Sequence, residues 1–299
     1  MILIGEIAGL LTSLFFAINA VVVTKATRTV GSSVIANRTR VAFALLYLIV
    51  INFVLYHQPL PLQAGTGRWT WLSISGVIGL ALGDAFLFQA YIMVGARLGT
   101  LLLSLSTIFG ALEAWIFFGE SLSLMEIIGI ALTLGGIVWV ILEHGNNKSQ
   151  TIRPSALGIV CGVLAAIGQA TGLVFSKQGM AGNFSPISGN VIRMLAAAIA
   201  LWLITFMQRE AGKTIQTLKE NPRGLQLLAL AALIGPVIGV SLSLLAVQNT
   251  AVGVASVLTS LAPIFMLPIG HFYFKERLGW QAIAGTILAM IGVAILFLV

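Results

Sequence analysis

Asp84 is a carboxylate in an apolar stretch of the chain, and its neighbours make it a candidate binding group. Phe88 and Tyr91 follow it by four and seven residues, so a helix would place the carboxylate and both rings on one face. Such a face can bind the ammonium of an amino acid, or a cationic aromatic compound, through charge and ring faces. The alternative is a structural Asp84 that pairs with a Lys or Arg of a neighbouring helix.

Glu113 is a second carboxylate within an apolar run. Ionisable groups in such runs are costly, and they are candidates for transport chemistry by default. Glu113 and Asp84 are therefore both candidates to carry a proton during a transport cycle, although Glu113 could instead pair with a cation at a helix end. His271 is the third titratable candidate, but its position near the end of an apolar run favours an interfacial residue over a proton relay.

Uncharged polar side chains also interrupt the apolar runs, and they are predicted to point inward because lipid disfavours them. Inward positions include helix contacts as well as a substrate cavity. The predicted substrate contacts of this kind are Asn19, Gln89, Gln169, Ser243, Thr259 and Ser260. Pro263 and Pro268 release backbone carbonyls in the run that contains the last two, which predicts a kink there with a role in gating or in lining the substrate path.

Several other kinds of chemistry are not encoded. The three histidines and the single Cys161 lack the spacing of a metal site, so neither a metal nor another cofactor is expected. Residues 212–214 read Gly-Lys-Thr like the end of a phosphate loop, but the glycine required five residues earlier is Met207. No ATP-driven step is therefore expected. Basic clusters with interleaved aromatic residues are missing as well, so nucleic acid is not an expected partner.

The composition is that of a polytopic membrane protein. Of the 299 residues, 59% are hydrophobic and only 8% are charged, against about 25% charged in soluble domains. A transmembrane helix needs roughly 20 apolar residues, and ten runs of that kind recur with short polar breaks. The predicted spans are 3–24, 34–55, 70–94, 98–118, 124–142, 156–177, 187–207, 225–247, 251–274 and 281–299.

The second half of the chain repeats the first. With an offset of 156 residues, 79–142 aligns without a gap to 235–298, and 16 of the 64 positions are identical. A slightly smaller offset also relates Lys25 to Lys177 and Arg40 to Arg193. Because each repeat contains five spans, an odd number, the second repeat must enter the membrane upside down. The sequence thus predicts an all-α membrane protein with two inverted five-helix repeats, 1–145 and 154–299.

Positive charge predicts the orientation of these spans. Thirteen of the 16 Lys and Arg residues fall on one side, the side that holds the loops between spans 1 and 2, 3 and 4, and so on. The positive-inside rule places that side in the cytoplasm and both termini outside it. The four repeat-related cations near helix ends are interpreted as lipid-head anchors or helix-end pairs.

These features resemble the drug/metabolite transporter superfamily, specifically its ten-helix branch with two EamA domains. The resemblance covers essentially the whole chain and rests on the four repeat-related cations, on the turns Gly-Glu-Ser-Leu at 119–122 and Lys-Glu-Arg-Leu at 275–278, and on Ala-Pro at 262–263. Phe-Ala at 16–17 replaces the Trp-Gly of many relatives, and Ser-Thr at 106–107 lacks a proline. The resemblance implies a multi-pass protein and favours an exporter of the bacterial plasma (inner) membrane.

The combined interpretation is a secondary transporter, not an enzyme, that exports small metabolites, above all amino acids. Alternating access would expose a central cavity between the two repeats, with either proton antiport or simple facilitation as the driving force. Relatives with the same fold carry drugs, nucleotides or sugars instead. Two alternatives from other classes are weaker: a lipid-modifying membrane enzyme would need clustered His, Asp or Cys at a helix end, and a channel fits the inverted repeat less well.

Overall fold

The computed structural model of the chain is helical throughout the residues it describes, which are 2–118, 123–146, 155–182, 184–249, 258–274 and 279–298. The α-helices are α1 (Ile2–Val30), α2 (Ser33–Tyr56), α3 (Thr66–Ser75), α4 (Asp84–Leu103), α5 (Leu105–Phe118), α6 (Leu124–Asn146), α7 (Ala156–Gly179), α8 (Pro186–Met207), α9 (Ala211–Glu220), α10 (Pro222–Ala232), α11 (Val240–Asn249), α12 (Ala262–Phe274) and α13 (Trp280–Leu298). No strand occurs in these ranges, which confirms the all-α class.

Within the ranges just given, six continuous helical stretches are long and apolar enough to cross a membrane. The longest, Thr66–Leu103, contains the predicted span 70–94 and the beginning of the predicted span 98–118, and Gly95 lies between the two. Gly95 has a φ of 82°, a left-handed value that a residue with a side chain rarely adopts. Two shorter apolar helices, within α6 and α13, add to the six. The predicted turns at 119–122 and 275–278, and positions 251–257 of the predicted ninth span, lie outside the described residues.

A serine side chain caps the second helix of each repeat at its start. The Ser32 side chain accepts a hydrogen bond from the Ile35 amide at the start of α2. Ser185, 153 residues later, accepts one from the Ser188 amide at the start of α8. A serine at this position satisfies an amide that has no partner within the helix. The second helix of each repeat therefore starts in the same way.

The third span of each repeat contains a π-helix. The first π-helix, Gly76–Gly83, joins α3 to α4, and the second π-helix, Leu233–Gly239, joins α10 to α11. Two glycines in each, at 79 and 83 and at 235 and 239, are related by the 156-residue repeat. Turns of π-helix are rare overall, and those that occur are frequently found at functional sites. The sequence repeat did not predict them, but both repeats contain one.

A buried asparagine supports each π-helix. Asn37 of α2 donates to the carbonyl oxygens of Leu80 and Ala81, at 3.3 and 3.0 Å. Asn190 of α8, 153 residues later, donates to the carbonyl oxygen of Pro236 at 2.7 Å. Buried carbonyls need such donors when the regular helix pattern is interrupted. The two asparagines therefore perform the same structural task in the two repeats.

The last helices of the repeats, α6 and α13, demonstrate that the repeats are inverted. Gly136 faces Gly285, the Thr133 hydroxyl lies 3.3 Å from the Ala289 carbonyl oxygen, and Gly292 faces the carbonyl of residue 129. The numbers fall along α6 as they rise along α13, so these equivalent helices are antiparallel. When the repeats are exchanged, the contact between Gly136 and Gly285 becomes the contact between Gly292 and residue 129, and the contact between Thr133 and Ala289 maps onto itself. A two-fold relation perpendicular to the helices therefore passes close to Thr133.

The two repeats are interlocked rather than placed side by side. Helix α1 packs along the third span of the second repeat, which comprises α10, the second π-helix and α11. Helix α7 packs in the same way along α3, the first π-helix and α4. The second helices of the repeats, α2 and α8, also pack against each other. Residues from both repeats therefore meet in the interior.

Candidate functional site

A cluster of polar side chains lies where these helices meet. It consists of Arg40 from α2, Asp84 from α4, Gln169 from α7 and Arg193 from α8, and it is called the Asp84 cluster below. Its three charged members are each 4 or 5% exposed. Charged groups at such depth in a membrane protein are expensive and mark functional sites by default. The first repeat supplies two of the four residues and the second repeat supplies the other two.

Glycines let α7 approach Asp84 closely. A Cβ on Gly172 would lie 2.9 Å from the Gly79 Cα, and one on Gly168 would lie 3.0 Å from the Gly83 Cα. The backbones of α7 and the first π-helix are therefore in direct contact. Small residues four apart permit such packing between helices in lipid. This contact brings Gln169, the residue after Gly168, next to Asp84.

Both oxygens of the Asp84 carboxylate accept hydrogen bonds. Arg40 donates from Nη2 to Oδ2 in a buried ion pair. Gln169 donates from Nε2 to Oδ1 at 2.8 Å, and the same nitrogen lies 3.1 Å from the Gly79 carbonyl oxygen. Charge-assisted hydrogen bonds of this type are among the strongest in proteins. The pairing of Asp84 with an arginine of a neighbouring helix, predicted as one alternative, is present in the structure.

Arg193 approaches the same carboxylate from α8 without a hydrogen bond to it. It interacts electrostatically with Asp84, and its Nη2 lies 3.6 Å from the place of a Cβ on Gly79. The Arg193 Nε is buried and has no hydrogen-bond partner among the described residues. One carboxylate therefore faces two guanidinium groups, and the four side chains of the Asp84 cluster sum to a charge of +1.

The aromatic residues predicted to share a face with Asp84 do so. The rings of Phe88 and Tyr91 stack at a centroid distance of 6.5 Å with an angle of 19° between their planes. Both are buried, with 1 and 4% exposure. The guanidinium carbon of Arg40 lies 4.8 Å from the centre of the Phe88 ring. Arg40 thus bridges the carboxylate and the ring through an ion pair and a cation–π contact.

Glu113 forms a separate polar contact between α5 and α7. The Thr171 hydroxyl oxygen lies 2.6 Å from Glu113 Oε1 and 3.0 Å from the Ile167 carbonyl oxygen. A hydroxyl has one proton, so it donates to one of these acceptors at a time. An ionised Glu113 accepts a hydrogen bond from the Thr171 hydroxyl, whereas a protonated Glu113 donates one to Thr171, which then donates to the Ile167 carbonyl. The geometry accommodates both protonation states of Glu113.

Three other predicted residues lie away from the Asp84 cluster. Gln89 accepts a hydrogen bond at 2.7 Å from Ser33 at the start of α2. The Asn19 side chain lies against Gly235 of the second π-helix, and its Oδ1 is buried without a hydrogen-bond partner among the described residues. Ser243 is half-buried in α11. The structure brings together Asp84, Phe88, Tyr91 and Gln169 from the predicted set.

The remaining predicted residues surround the start of α12. Thr259 and Ser260 are half-buried just before this helix, at a turn over 260–261. Pro263 is buried in the first turn of α12 after that break, and Pro268 lies inside α12 with an exposed side chain. His271 is exposed, and its ring packs edge-on against Phe272 at 5.2 Å.

Arg40 and Arg193 are the functional candidates that the sequence interpretation missed. It assigned them to helix ends with Lys25 and Lys177, as lipid anchors or pairs. The two lysines are exposed, but the two arginines are buried, so the anchoring role does not hold for them. One signal was available: the pattern Asn-X-X-Arg occurs at 37–40 and again at 190–193, 153 residues later. It combines the asparagine that supports a π-helix with a buried arginine.

Both halves of the chain match one known protein family. The EamA-like transporter family matches residues 3–142 and again residues 156–298. The chain belongs to the EamA-like transporter family. The double match confirms the architecture of two repeats, and it identifies this EamA family member as a multi-pass membrane protein. The predicted membership of the drug/metabolite transporter superfamily is confirmed as well.

Individual relatives of this EamA family member are distant. A WAT1-related chloroplastic protein of Arabidopsis thaliana is 21% identical over 248 residues, which are 82% of this chain. The chain spans 58% of the length of that relative. A solved crystal structure of a protein with 15% identity superposes with a TM-score of 0.57, over 98% of this chain and 96% of the other. At that identity, the superposition supports the fold alone.

Proposed function

We propose that this EamA-like transporter exports small metabolites, amino acids above all, by alternating access between its two inverted repeats. The observation that carries the proposal is the Asp84 cluster, to which each repeat contributes two polar side chains and in which all three charged members are buried. Transporters with inverted repeats bind substrates between the repeats, near the middle of the membrane. A movement of one repeat against the other would change the Asp84 cluster directly, so substrate binding there can be coupled to opening.

The proposed substrate-binding residues include Asp84, Phe88, Tyr91 and Gln169, which are in or next to the Asp84 cluster. Asn19, Gln89, Ser243, Thr259 and Ser260 are proposed as further lining positions. Pro263 and Pro268 are proposed to serve gating. The turn at 260–261 supports that role, because an interrupted helix can bend without breaking a continuous hydrogen-bond pattern.

Purified protein in liposomes loaded with a mixed amino-acid pool tests the transport proposal. Selective, saturable loss of particular amino acids is the expected result. Protein-free liposomes control for leakage. Loss of none of them would overturn amino-acid export, and drugs, nucleotide precursors and sugars would then replace amino acids in the same assay. Flux that rises without saturation would favour a channel over a carrier.

Proton antiport is the proposed driving force, with Asp84 and Glu113 as candidate proton carriers. The contact between Glu113 and Thr171 supports Glu113, because it accommodates both protonation states. In the Glu113→Gln variant we expect efflux to lose its acceleration by an imposed pH gradient while exchange at equal pH continues. Asp84→Asn is measured beside it, and Glu220→Gln, which changes an exposed carboxylate, is the control. Undiminished coupling in both variants would overturn antiport in favour of facilitation.

The remaining parts of the proposal concern location and organisation. We place the protein in a bacterial plasma membrane with both termini outside the cytoplasm, and we divide it into units 1–145 and 154–299. It uses neither ATP nor a catalytic reaction. The bias of Lys and Arg supports the orientation. A C-terminal alkaline phosphatase fusion should be active and a C-terminal green fluorescent protein fusion dark, and the reverse result would invert the orientation.

A further inference from the structure

The charges of the Asp84 cluster are unequal, and this inequality identifies the kind of ligand that it suits. Two buried arginines accompany one carboxylate. Within the described residues, the Arg40–Asp84 pair is the ion pair that involves this cluster. An excess positive charge in the interior of a membrane protein is costly unless an anion or a polar partner compensates it.

Asp84 attracts Arg193 but does not pair with it through a hydrogen bond. The two Asp84 oxygens already accept from Arg40 and from Gln169. Arg193 experiences the negative charge of the same carboxylate, but the structure shows no hydrogen bond between the two side chains. Its buried Nε lacks a partner among the described residues. A guanidinium group has five N–H donors in a planar fork that matches a carboxylate with two parallel hydrogen bonds.

Arg193 also lies next to the contact between the two repeats. A Cβ on Gly76 would collide with the Arg193 backbone, and the Arg193 Nη2 lies beside Gly79. Arg193 belongs to the second repeat, whereas both glycines belong to the first π-helix. A ligand held by Arg193 would therefore contact both repeats.

We propose that Arg193 binds the carboxylate of the transported molecule, so that the substrates are anions or zwitterions and purely cationic compounds are not carried. This inference rests on the proposed transport function and specifies its substrate class. Arg40 also has a buried Nε without a partner among the described residues, but its Nη2 is already paired with Asp84 and its guanidinium group lies over the Phe88 ring, so Arg193 is the more available of the two. The face of Phe88 is likewise covered by Arg40, which makes it a poor site for the ammonium group of a substrate.

Efflux from proteoliposomes tests this with four amino acids, alanine, leucine, threonine and phenylalanine. Each is compared with its carboxamide, which lacks the negative charge, and with its N-acetyl derivative, which keeps it. For each amino acid that is carried, the carboxamide should leave about tenfold more slowly or worse, as expected for the loss of charge-assisted hydrogen bonds. The N-acetyl derivative should leave faster than the carboxamide.

Variants assign this discrimination to one residue. Arg193→Gln should slow efflux of the amino acid to the rate of its carboxamide, mainly through a higher KM, and Arg193→Lys should restore part of the difference. Arg209→Gln, which removes an exposed arginine just after α8, is the matched control and should behave like the wild type. Thermal unfolding of each variant in detergent verifies that it is folded.

The different failures of this proposal are distinguishable. Equal efflux of an amino acid and its carboxamide from wild-type protein would overturn the carboxylate inference and leave the transport proposal standing. This result does not depend on any variant folding. Wild-type discrimination in Arg193→Gln would overturn the assignment to Arg193. Efflux of none of the probes would overturn amino-acid export, and the inference would fail with it.

Discussion

The two π-helices occupy equivalent places in the repeats but meet different neighbours. The first π-helix forms the first seam, in which Gly79 and Gly83 meet Gly168 and Gly172 of α7 with backbone against backbone. The second π-helix forms the second seam, in which Gly235 meets the Asn19 side chain and Gly239 meets the Phe16 ring. The same glycine pair thus serves close helix approach in one repeat and accommodates large side chains in the other.

The two seams also differ in charge, because only the first is followed by a carboxylate. Asp84 follows the first seam, whereas the repeat places Val240 at the equivalent position after the second. An arginine nevertheless occupies the equivalent position of each repeat, Arg40 in the first and Arg193 in the second. A symmetric scaffold therefore carries an asymmetric charge distribution, and the asymmetry leaves two arginines to share one carboxylate. The comparison teaches that the repeat specifies the backbone, whereas substitutions at a few equivalent positions specify the site.

Removal of the Asp84 carboxylate, the only acid of the Asp84 cluster, should have the largest effect on stability. Asp84→Val leaves two buried arginines without an acid, and we expect the free energy of unfolding to fall by about 3–5 kcal/mol. Thermal unfolding in detergent measures this. The exchange variant Asp84→Val/Val240→Asp should recover part of the loss, because the relocated carboxylate would follow the second seam as Asp84 follows the first. Val240→Asp alone is the control, and wild-type stability of Asp84→Val would contradict the role of the charge.

Added methyl groups should distinguish the seams with a smaller effect. In Gly172→Ala the new Cβ meets the backbone of the first π-helix at 2.9 Å, and we expect a loss of about 1–3 kcal/mol. In Gly239→Ala it meets the Phe16 ring at 2.6 Å, which can rotate away, so the loss should be smaller. Phe16→Leu should rescue Gly239→Ala but not Gly172→Ala. Equal losses in both alanine variants would show that the seams do not differ as described.

The two supporting asparagines should behave alike, which tests the symmetric part of the comparison. Asn37→Ala and Asn190→Ala each remove a side-chain donor from π-helix carbonyls, at an expected cost of about 1–2 kcal/mol. The double variant should show the sum, because the asparagines contact different π-helices. Unfolding of the three variants under one condition measures this. A neutral Asn190→Ala would mean that only the first π-helix needs side-chain support.

Sequence predicted the fold well because its signals are local. Apolar length identifies spans, and 16 identities over one ungapped offset identify repeats. The partners of Asp84 were less accessible, because Arg40 and Gln169 are 44 and 85 residues away and their contact depends on helix rotation. Arg193 was misjudged because seven residues from a helix start corresponds to about 10 Å of depth, which is already inside the membrane. The π-helices left no composition signal at all.

The interlocked packing also dictates what the first half of the chain encounters while the second is still being made. Until α7 is synthesised, Gly79 and Gly83 lack the helix that they contact in the folded protein. Asp84 does not share that difficulty, because Arg40 is already present in the same half and neutralises it. Arg193 is translated later and enters a membrane that already contains Asp84. The order of the charges along the chain therefore lets Arg40 and Asp84 enter the membrane together, and lets Arg193 follow once the carboxylate that attracts it is in place.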